Sequence, residues 1–427
     1  MRQLYSLAIY LLTPVILIHL LWRGLRNSDY LKRWSERFGL FDPPAATGGI
    51  VIHAVSVGEV NAASPLVRGL RDRFPDLPLS ITTFTPTGSE RVSHLFADQV
   101  FHVYAPIDTP GAVRRFYQRL QPSMLIIMET EIWPNLFYGA ESRQIPVVIA
   151  NARVSEKSVR GYRLWQPLAQ HVLQSVSGIA AQTETDASRL VQCGARDDEI
   201  EVVGSLKFDV RIPNSLAEEG ENIRLRWGPG RPVLIAASTH EGDEQPLLTA
   251  FAGILDRFPD ALLVLVPRHP ERFTRSAQLA RQQGFRTQLR SETEVCDPGC
   301  QCFVIDSMGE LLRYCAAADV AFVGGSFDPI GGHNVLEPAA LAKPVLFGPH
   351  VFNFQEITDR LLSRGGAIQV DSAAQLAAQV IRLFEQPELK DRMGQAGLQL
   401  VKGGQGALES TLVMIKALLE TKPDRTQ

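Results

Sequence analysis

Glu59 closes the turn Ser56-Val57-Gly58-Glu59 directly behind an apolar run and ahead of an amphipathic one. A carboxylate placed there can take a proton from a bound hydroxyl as a general base. The same position suits a carboxylate that offsets the positive end of a helix, an effect of about 0.3–1 kcal/mol, and position alone does not separate the two roles. Glu129 and Glu131 follow another apolar run, in Glu129-Thr130-Glu131-Ile132-Trp133-Pro134-Asn135. Acids behind a buried strand are costly unless they bind, cap or pair. Lys207, in Gly204-Ser205-Leu206-Lys207-Phe208-Asp209, is either a substrate contact or a solvated surface group.

A second set of groups suits an anionic nucleotide. Pro267-Arg268-His269-Pro270 sets an arginine, suited to bidentate phosphate contact, at the end of an apolar run. Asp306-Ser307-Met308-Gly309-Glu310 ends another. Gly324-Gly325-Ser326-Phe327 and Gly331-Gly332-His333-Asn334-Val335-Leu336-Glu337-Pro338 follow a third. Paired glycines ahead of a helix let backbone N–H groups approach an anion, and Glu337 could accept ribose hydroxyls.

These groups need rigid elements to hold them. Short apolar runs are expected as strands at Ile50–Val55, Leu79–Phe84, Val100–Tyr104, Met124–Met128, Pro146–Ala150, Gly178–Ala181 and Ile200–Val203. Amphipathic stretches such as Ala63–Arg73, Pro110–Leu120 and Ser155–Gln174 alternate with them. The pattern restarts at Val233–Ala237, Leu262–Val266, Cys302–Ile305, Asp319–Val323 and Pro344–Phe347, with helical stretches at Glu244–Arg257, Glu271–Gly284 and Asn334–Ala342. Buried strands alternating with helices predict parallel sheets in an α/β fold. The expected division is an anchor helix at 1–25, a Rossmann-like domain at 26–211, a linker at 212–232 and a second Rossmann-like domain with closing helices at 233–427. A ligand site in the cleft between the domains, off the carboxyl ends of the strands, is the expectation for such a pair.

The first helix is read from Leu4–Trp22, nineteen residues without a formal charge, followed by Arg23, Arg26, Lys32, Arg33 and Arg37 against Asp29 and Glu36. The length just suffices to span a bilayer. Pro14 would kink such a helix, and an interfacial amphipathic helix is the alternative. The basic excess puts the bulk of the protein on the cytoplasmic side and favours anionic lipid.

The whole chain has 427 residues, 45% of them apolar and 21% charged, so it is an ordinary globular composition. A net charge of −3 argues against a protein that holds nucleic acid by its phosphates. Five cysteines make no disulfide framework, and Cys296, Cys300 and Cys302 match no common zinc spacing. G-x-x-x-x-G-K-[ST], G-x-G-x-x-G behind a strand, D-x-D and G-x-S-x-G do not occur. That counts against P-loop nucleotidases, dinucleotide oxidoreductases, metal-chelating diphosphosugar sites and serine-elbow hydrolases.

Along nearly its whole length the sequence resembles the 3-deoxy-D-manno-octulosonic acid (Kdo) transferases of lipopolysaccharide assembly. The resemblance is carried by HAVSVGE (His53–Glu59), ETEIWPN (Glu129–Asn135), NARVSEKS (Asn151–Ser158) and GSLKFD (Gly204–Asp209). It continues in PRHP (Pro267–Pro270), DSMGEL (Asp306–Leu311) and GGSFDPIGGHNVLEPAALAKPVLFGP (Gly324–Pro349). Ser205 departs from the asparagine usual in that family, which bears on a polar contact beside Lys207. The resemblance implies the GT-B class, two Rossmann-like domains facing a central cleft. It implies an inverting, metal-independent enzyme without cofactor that moves Kdo from CMP-Kdo to the 6′-hydroxyl of lipid IVA, with two additions in succession expected, at the bacterial inner membrane. It implies Glu59 as the proton acceptor. CMP would be held by Pro267 and Arg268, by Met308, Gly309 and Glu310, and by Asn334, Val335, Leu336 and Glu337, with Glu129 and Lys207 as further substrate contacts. A transferase using a UDP-sugar on a lipid carrier and a non-catalytic nucleotide-binding membrane adaptor are the rival readings.

Overall fold

The computed structural model describes residues 1–421. The chain forms two compact units, one of residues 1–209 with the stretch from 404 onward, the other of residues 210–403. In the first, seven strands make one parallel sheet: β1 (Ile50–His53), β2 (Leu79–Thr83), β3 (Phe101–Tyr104), β4 (Met124–Met128), β5 (Val147–Ala152), β6 (Gly178–Ala181) and β7 (Ile200–Val202). Their order is β3-β2-β1-β4-β5-β6-β7. β1, β2, β4, β5 and β6 are buried along their whole length, as expected when helices cover both faces of a parallel sheet. Helix starts are fixed by hydroxyls: Ser56, Thr85, Ser155 and Thr183 accept the backbone N–H three residues on.

The second unit repeats the plan with β8 (Val233–Thr239), β9 (Leu262–Pro267), β10 (Thr287–Leu289), β11 (Cys302–Val304), β12 (Val320–Val323), β13 (Val345–Phe347) and β14 (Ala367–Gln369). Their order is β10-β11-β9-β8-β12-β13-β14, again parallel. Each sheet reverses its winding once, between β1 and β4 in the first and between β8 and β12 in the second. Those reversals open the crevices where ligands bind in such folds.

Four expectations are corrected. The tail does not stay with the second unit: the helix Ala407–Glu420 packs Leu408, Leu412 and Ile415 into the core of the first. Leu408 and Leu412 crowd the bare backbone of Gly69, and Asp209 caps the helix by accepting from Gly406 N at 2.8 Å and Leu408 N at 2.7 Å. The expected linker 212–232 contains a helix, Leu216–Trp227, whose Ile223 and Trp227 pack with Tyr314 and Cys315 in the second unit. The stretch Ser155–Gln174 breaks at Trp165 into Glu156–Leu164 and Gln166–Gln174, with Pro167 in the first turn of the second helix. The helix expected over Asn334–Ala342 is only Leu336–Ala340. β10 and β14, three residues each, are too short to read from periodicity. All five cysteines are buried and unbridged.

The first helix, Arg2–Arg26, runs unbroken through Pro14. It is tied to the first unit at both ends. Tyr5 donates to Asp108 Oδ2 at 2.8 Å, Ser6 to Asn135 Oδ1 at 3.0 Å, and Gly111 N to Tyr10 Oη at 3.4 Å. Beyond, Leu20 is buried, Arg23 lies over the Tyr30 ring at 4.4 Å, and Gly24 fits against Leu31. Leu4, Leu7, Leu11, Val15, Ile18, Trp22 and Leu25 stay exposed, three or four residues apart. That spacing makes one apolar stripe on a helix.

Candidate active site

In the first unit the crevice at β1 and β4 holds three carboxylates. Glu59 sits in the third position of the helix Val57–Arg73 and is 6% exposed. Its Oε1 accepts from Ser56 Oγ at 2.8 Å and its Oε2 from Val55 N at 2.8 Å, while Ser56 Oγ accepts Glu59 N at 3.3 Å. The helix-capping role is therefore real, and it fixes the carboxylate's direction rather than excluding chemistry. Burial, then the charges of Glu131 and Glu129, raise the Glu59 pKa to about 8, against the two hydrogen bonds that favour the anion. Glu131, itself raised by burial, accepts from Trp133 Nε1 at 3.0 Å.

Below them His53 is buried, donor or acceptor to Thr82 Oγ1 at 2.8 Å and edge-on to Trp133 with ring centroids 4.8 Å apart. Burial pushes its pKa down to about 3, so it is a neutral packing group and not a second base. Lys207 lies in the turn Leu206–Phe208 and makes no ion pair among the described residues. That turn is anchored on Asn151, whose Oδ1 accepts from Ser205 Oγ at 3.2 Å and Leu206 N at 3.1 Å. Ser205 thus keeps a polar contact where the resemblance raised a question.

In the second unit, Arg268 follows β9, the turn Met308–Glu310 follows β11, and the loop to Asn334–Glu337 follows β12. The parallel order β11-β9-β8-β12 brings all three to one edge of the sheet. Arg268 N donates to Thr239 O at 2.9 Å, and its side chain makes no ion pair among the described residues. Met308 is exposed, and Gly309 has φ +86°, a left-handed turn that suits glycine. Glu310 accepts from Arg290 at 3.2 Å and Arg313 at 3.3 Å, so its carboxylate organises the turn. Asn334 donates to Glu337 Oε1 at 3.1 Å and accepts Leu336 N at 3.1 Å. Val335 and Leu336 are buried and only their backbone can meet a ligand. With a helix of five residues behind it, the Asn334 segment offers loop N–H groups and a ribose acceptor, not the helix-dipole site expected from sequence.

The reading of the residues passed over Asp243 and His240. Asp243, fully buried, accepts from the backbone N–H of His240 (2.9 Å), Gly325 (2.6 Å), Ser326 (3.3 Å) and Phe327 (3.0 Å). One side chain thereby ties the loop after β8 to the glycine loop after β12. An acid at the third position of a helix behind a strand was the available signal. Backbone strain was not legible at all: Glu129, Asn151 and Ser238 have φ of +56°, +56° and +55°. Each stands at the carboxyl end of a strand, and such non-glycine residues cost about 1–3 kcal/mol and gather at functional sites. Among the described residues no three His, Cys, Asp or Glu side chains gather to hold a metal ion.

Comparison with known proteins bears on the family and the fold. Residues 32–210 match the family model for 3-deoxy-D-manno-octulosonic-acid transferase (kdotransferase), and residues 238–400 match glycosyl transferases group 1. The 3-deoxy-D-manno-octulosonic acid transferase of Haemophilus influenzae is 40% identical over 424 residues, 98% of this chain and 99% of that one. Its Bordetella pertussis counterpart is 34% identical over 430 residues, 96% of this chain and 98% of that one. A UDP-GlcNAc 2-epimerase from Neisseria meningitidis bound to UDP-GlcNAc shares the fold, with 14% identity, a TM-score of 0.52, and coverage of 86% of this chain and all of that one. With two Rossmann-like units of the GT-B class and this identity over almost its full length, the chain belongs to the Kdo transferase family of glycosyltransferases.

Proposed function

We propose that the chain transfers Kdo from CMP-Kdo to the 6′-hydroxyl of lipid IVA, with inversion and without a metal, and adds two Kdo in succession. The observation that carries the reading is Glu59, a carboxyl held at the switch crevice by two hydrogen bonds with its pKa raised to about 8. A sugar hydroxyl is a weak nucleophile, and Glu59 takes its proton as the oxygen attacks C2 of Kdo. A positioned base contributes ~10²–10⁴-fold, and the raised pKa makes this carboxylate a stronger base than an ordinary one. As the C2–O bond to phosphate breaks, charge builds on CMP. Arg268 takes that charge, and its lack of an acidic partner among the described residues supports the assignment. Pro267, the Met308–Glu310 turn and the Asn334–Glu337 segment hold the nucleotide, and Glu129 and Lys207 contact substrate from the first unit.

Supplying labelled CMP-Kdo and UDP-sugars together tests the donor. Consumption of CMP-Kdo alone is expected, and consumption of a UDP-sugar instead would favour the rival lipid-carrier transferase. Arg268→Ala is expected to raise the KM for CMP-Kdo about tenfold or more while the lipid KM holds. A shift confined to the lipid KM would move Arg268 to the acceptor. Transfer is expected to survive millimolar EDTA. Loss of transfer restored by magnesium or manganese would contradict the metal-free reading.

The acceptor is a phosphorylated lipid, and the first helix supplies a means of reaching it. We place the protein at the inner membrane on its cytoplasmic side, with Arg2–Arg26 lying along the surface. Spanning would pull Tyr5, Ser6 and Tyr10 away from Asp108, Asn135 and Gly111, whereas the exposed Leu11–Val15–Ile18 stripe suits an interfacial helix. Arg23 and Arg26 then meet anionic headgroups. Leu11→Asp with Ile18→Asp is expected to abolish sedimentation with anionic vesicles while the melting temperature holds. Undiminished sedimentation would reject this face.

A further inference from the structure

Asp108 is a buried acid that the transfer chemistry does not use. It stands in the loop after β3 and is 6% exposed. The helix Pro134–Glu141 begins without a side-chain cap of its own, because Trp133, the residue ahead of it, makes no capping bond. Asp108 supplies that cap from another loop: Oδ2 accepts Asn135 N at 2.9 Å and Oδ1 accepts Leu136 N at 2.8 Å. These are the N–H groups that the first turn leaves over, since Pro134 has none. Asn135, 1% exposed, closes the arrangement by donating Nδ2 to Asp108 O at 2.7 Å.

Two side chains of the first helix complete it. Tyr5 Oη donates to the same Asp108 Oδ2 at 2.8 Å, and Ser6 Oγ donates to Asn135 Oδ1 at 3.0 Å. A buried carboxylate is costly unless its oxygens are hydrogen-bonded, and Tyr5 is among the three donors to this one. Contact with lipid alone does not call for two hydroxyls at these buried acceptors. The segment held there leads to the base. Trp133, directly ahead of the capped turn, packs edge-on to His53 and Phe84 with centroids 4.8 Å and 5.6 Å away. Its Nε1 donates to Glu131 Oε2 at 3.0 Å, and the Glu131 charge acts on Glu59.

We propose that Tyr5 is a positioning residue for transfer: through Asp108 and Asn135 it holds the Glu131–Trp133 segment in place beside Glu59. The first helix is then part of the active-site scaffold as well as the element that faces lipid. This rests on the reading of Glu59 as the base and adds the group that keeps its surroundings in register.

The test compares full-length wild type and Tyr5→Phe in detergent micelles at saturating lipid IVA, where recruitment to a membrane does not limit the rate. Phenylalanine keeps the ring, and Ser6 and Tyr10 keep the helix docked. The kcat is expected to fall about tenfold while the KM for CMP-Kdo holds, because small misplacements in a catalytic constellation cost up to ~10²-fold. In a Glu59→Gln background the same change should cost under about twofold, since the base it positions is gone. If Tyr5→Phe melts early, Ser6→Ala, which removes the donor to Asn135 Oδ1, carries the test in the same two backgrounds. An unchanged kcat, or an equal loss in both backgrounds, would leave the contact structural and overturn the inference. Failure of the base reading looks different, because Glu59→Gln alone would then turn over at near wild-type rate.

Discussion

Glu59→Gln is expected to fold, to bind CMP as wild type does, and to lose turnover by about two to four orders of magnitude, the range a positioned base supplies. The amide keeps an oxygen that can accept from Val55 N or Ser56 Oγ, the two donors that hold the carboxylate, so the cap is largely preserved. Single-turnover rates at saturating donor and lipid measure the effect. Transfer at near wild-type rate would remove Glu59 as the base. The same group predicts the pH dependence. A base works only when deprotonated, and the Glu59 pKa is raised to about 8 in the free protein. The kcat/KM should therefore climb with pH up to about 8 and level off above it. Below that pH it should fall about tenfold per unit. Replacing Glu131, whose charge raises the Glu59 pKa more than that of Glu129, with glutamine should move the inflection to lower pH, because one anion that disfavours ionisation is gone.

The second large effect is on stability. Asp243→Ala leaves four backbone N–H groups of the β8 and β12 loops without their acceptor in a fully buried place. An orphaned buried donor costs about 1–3 kcal/mol. Relaxation and water will recover part of the sum, so a loss of about 3–5 kcal/mol is expected, comparable to breaking a buried charged network. Chemical denaturation should show the unit holding β8–β14 melting at markedly lower denaturant, with CMP binding lost alongside. A change under 1 kcal/mol would mean the glycine loop is held by other contacts.

What could be read from the sequence follows from what leaves a local signature. Continuous apolar runs such as Met124–Met128 and Leu262–Pro267 announced the parallel sheets, because strands covered on both faces need no polar positions. The return of Ala407–Glu420 to the first unit was not legible, since an amphipathic helix states that it needs a partner face and not which one. Gly69 and the Asp209 cap, which decide it, lie more than 190 residues earlier in the chain. At the site, Glu59, Arg268 and the glycine loops stood out because each follows a strand. The Asp243 tie depends on the adjacency of β8 and β12, a contact across roughly 90 residues. Strain at Glu129, Asn151 and Ser238 comes from tertiary context, and residue type does not signal it.

Mass spectrometry of lipid IVA after incubation with the purified protein and CMP-Kdo tests the central claim most directly. Wild type should convert the lipid to species heavier by one and then two Kdo, with CMP released in step, and Glu59→Gln should leave it almost unchanged. Lipid IVA that gains no Kdo from a folded, CMP-binding wild type would contradict the account.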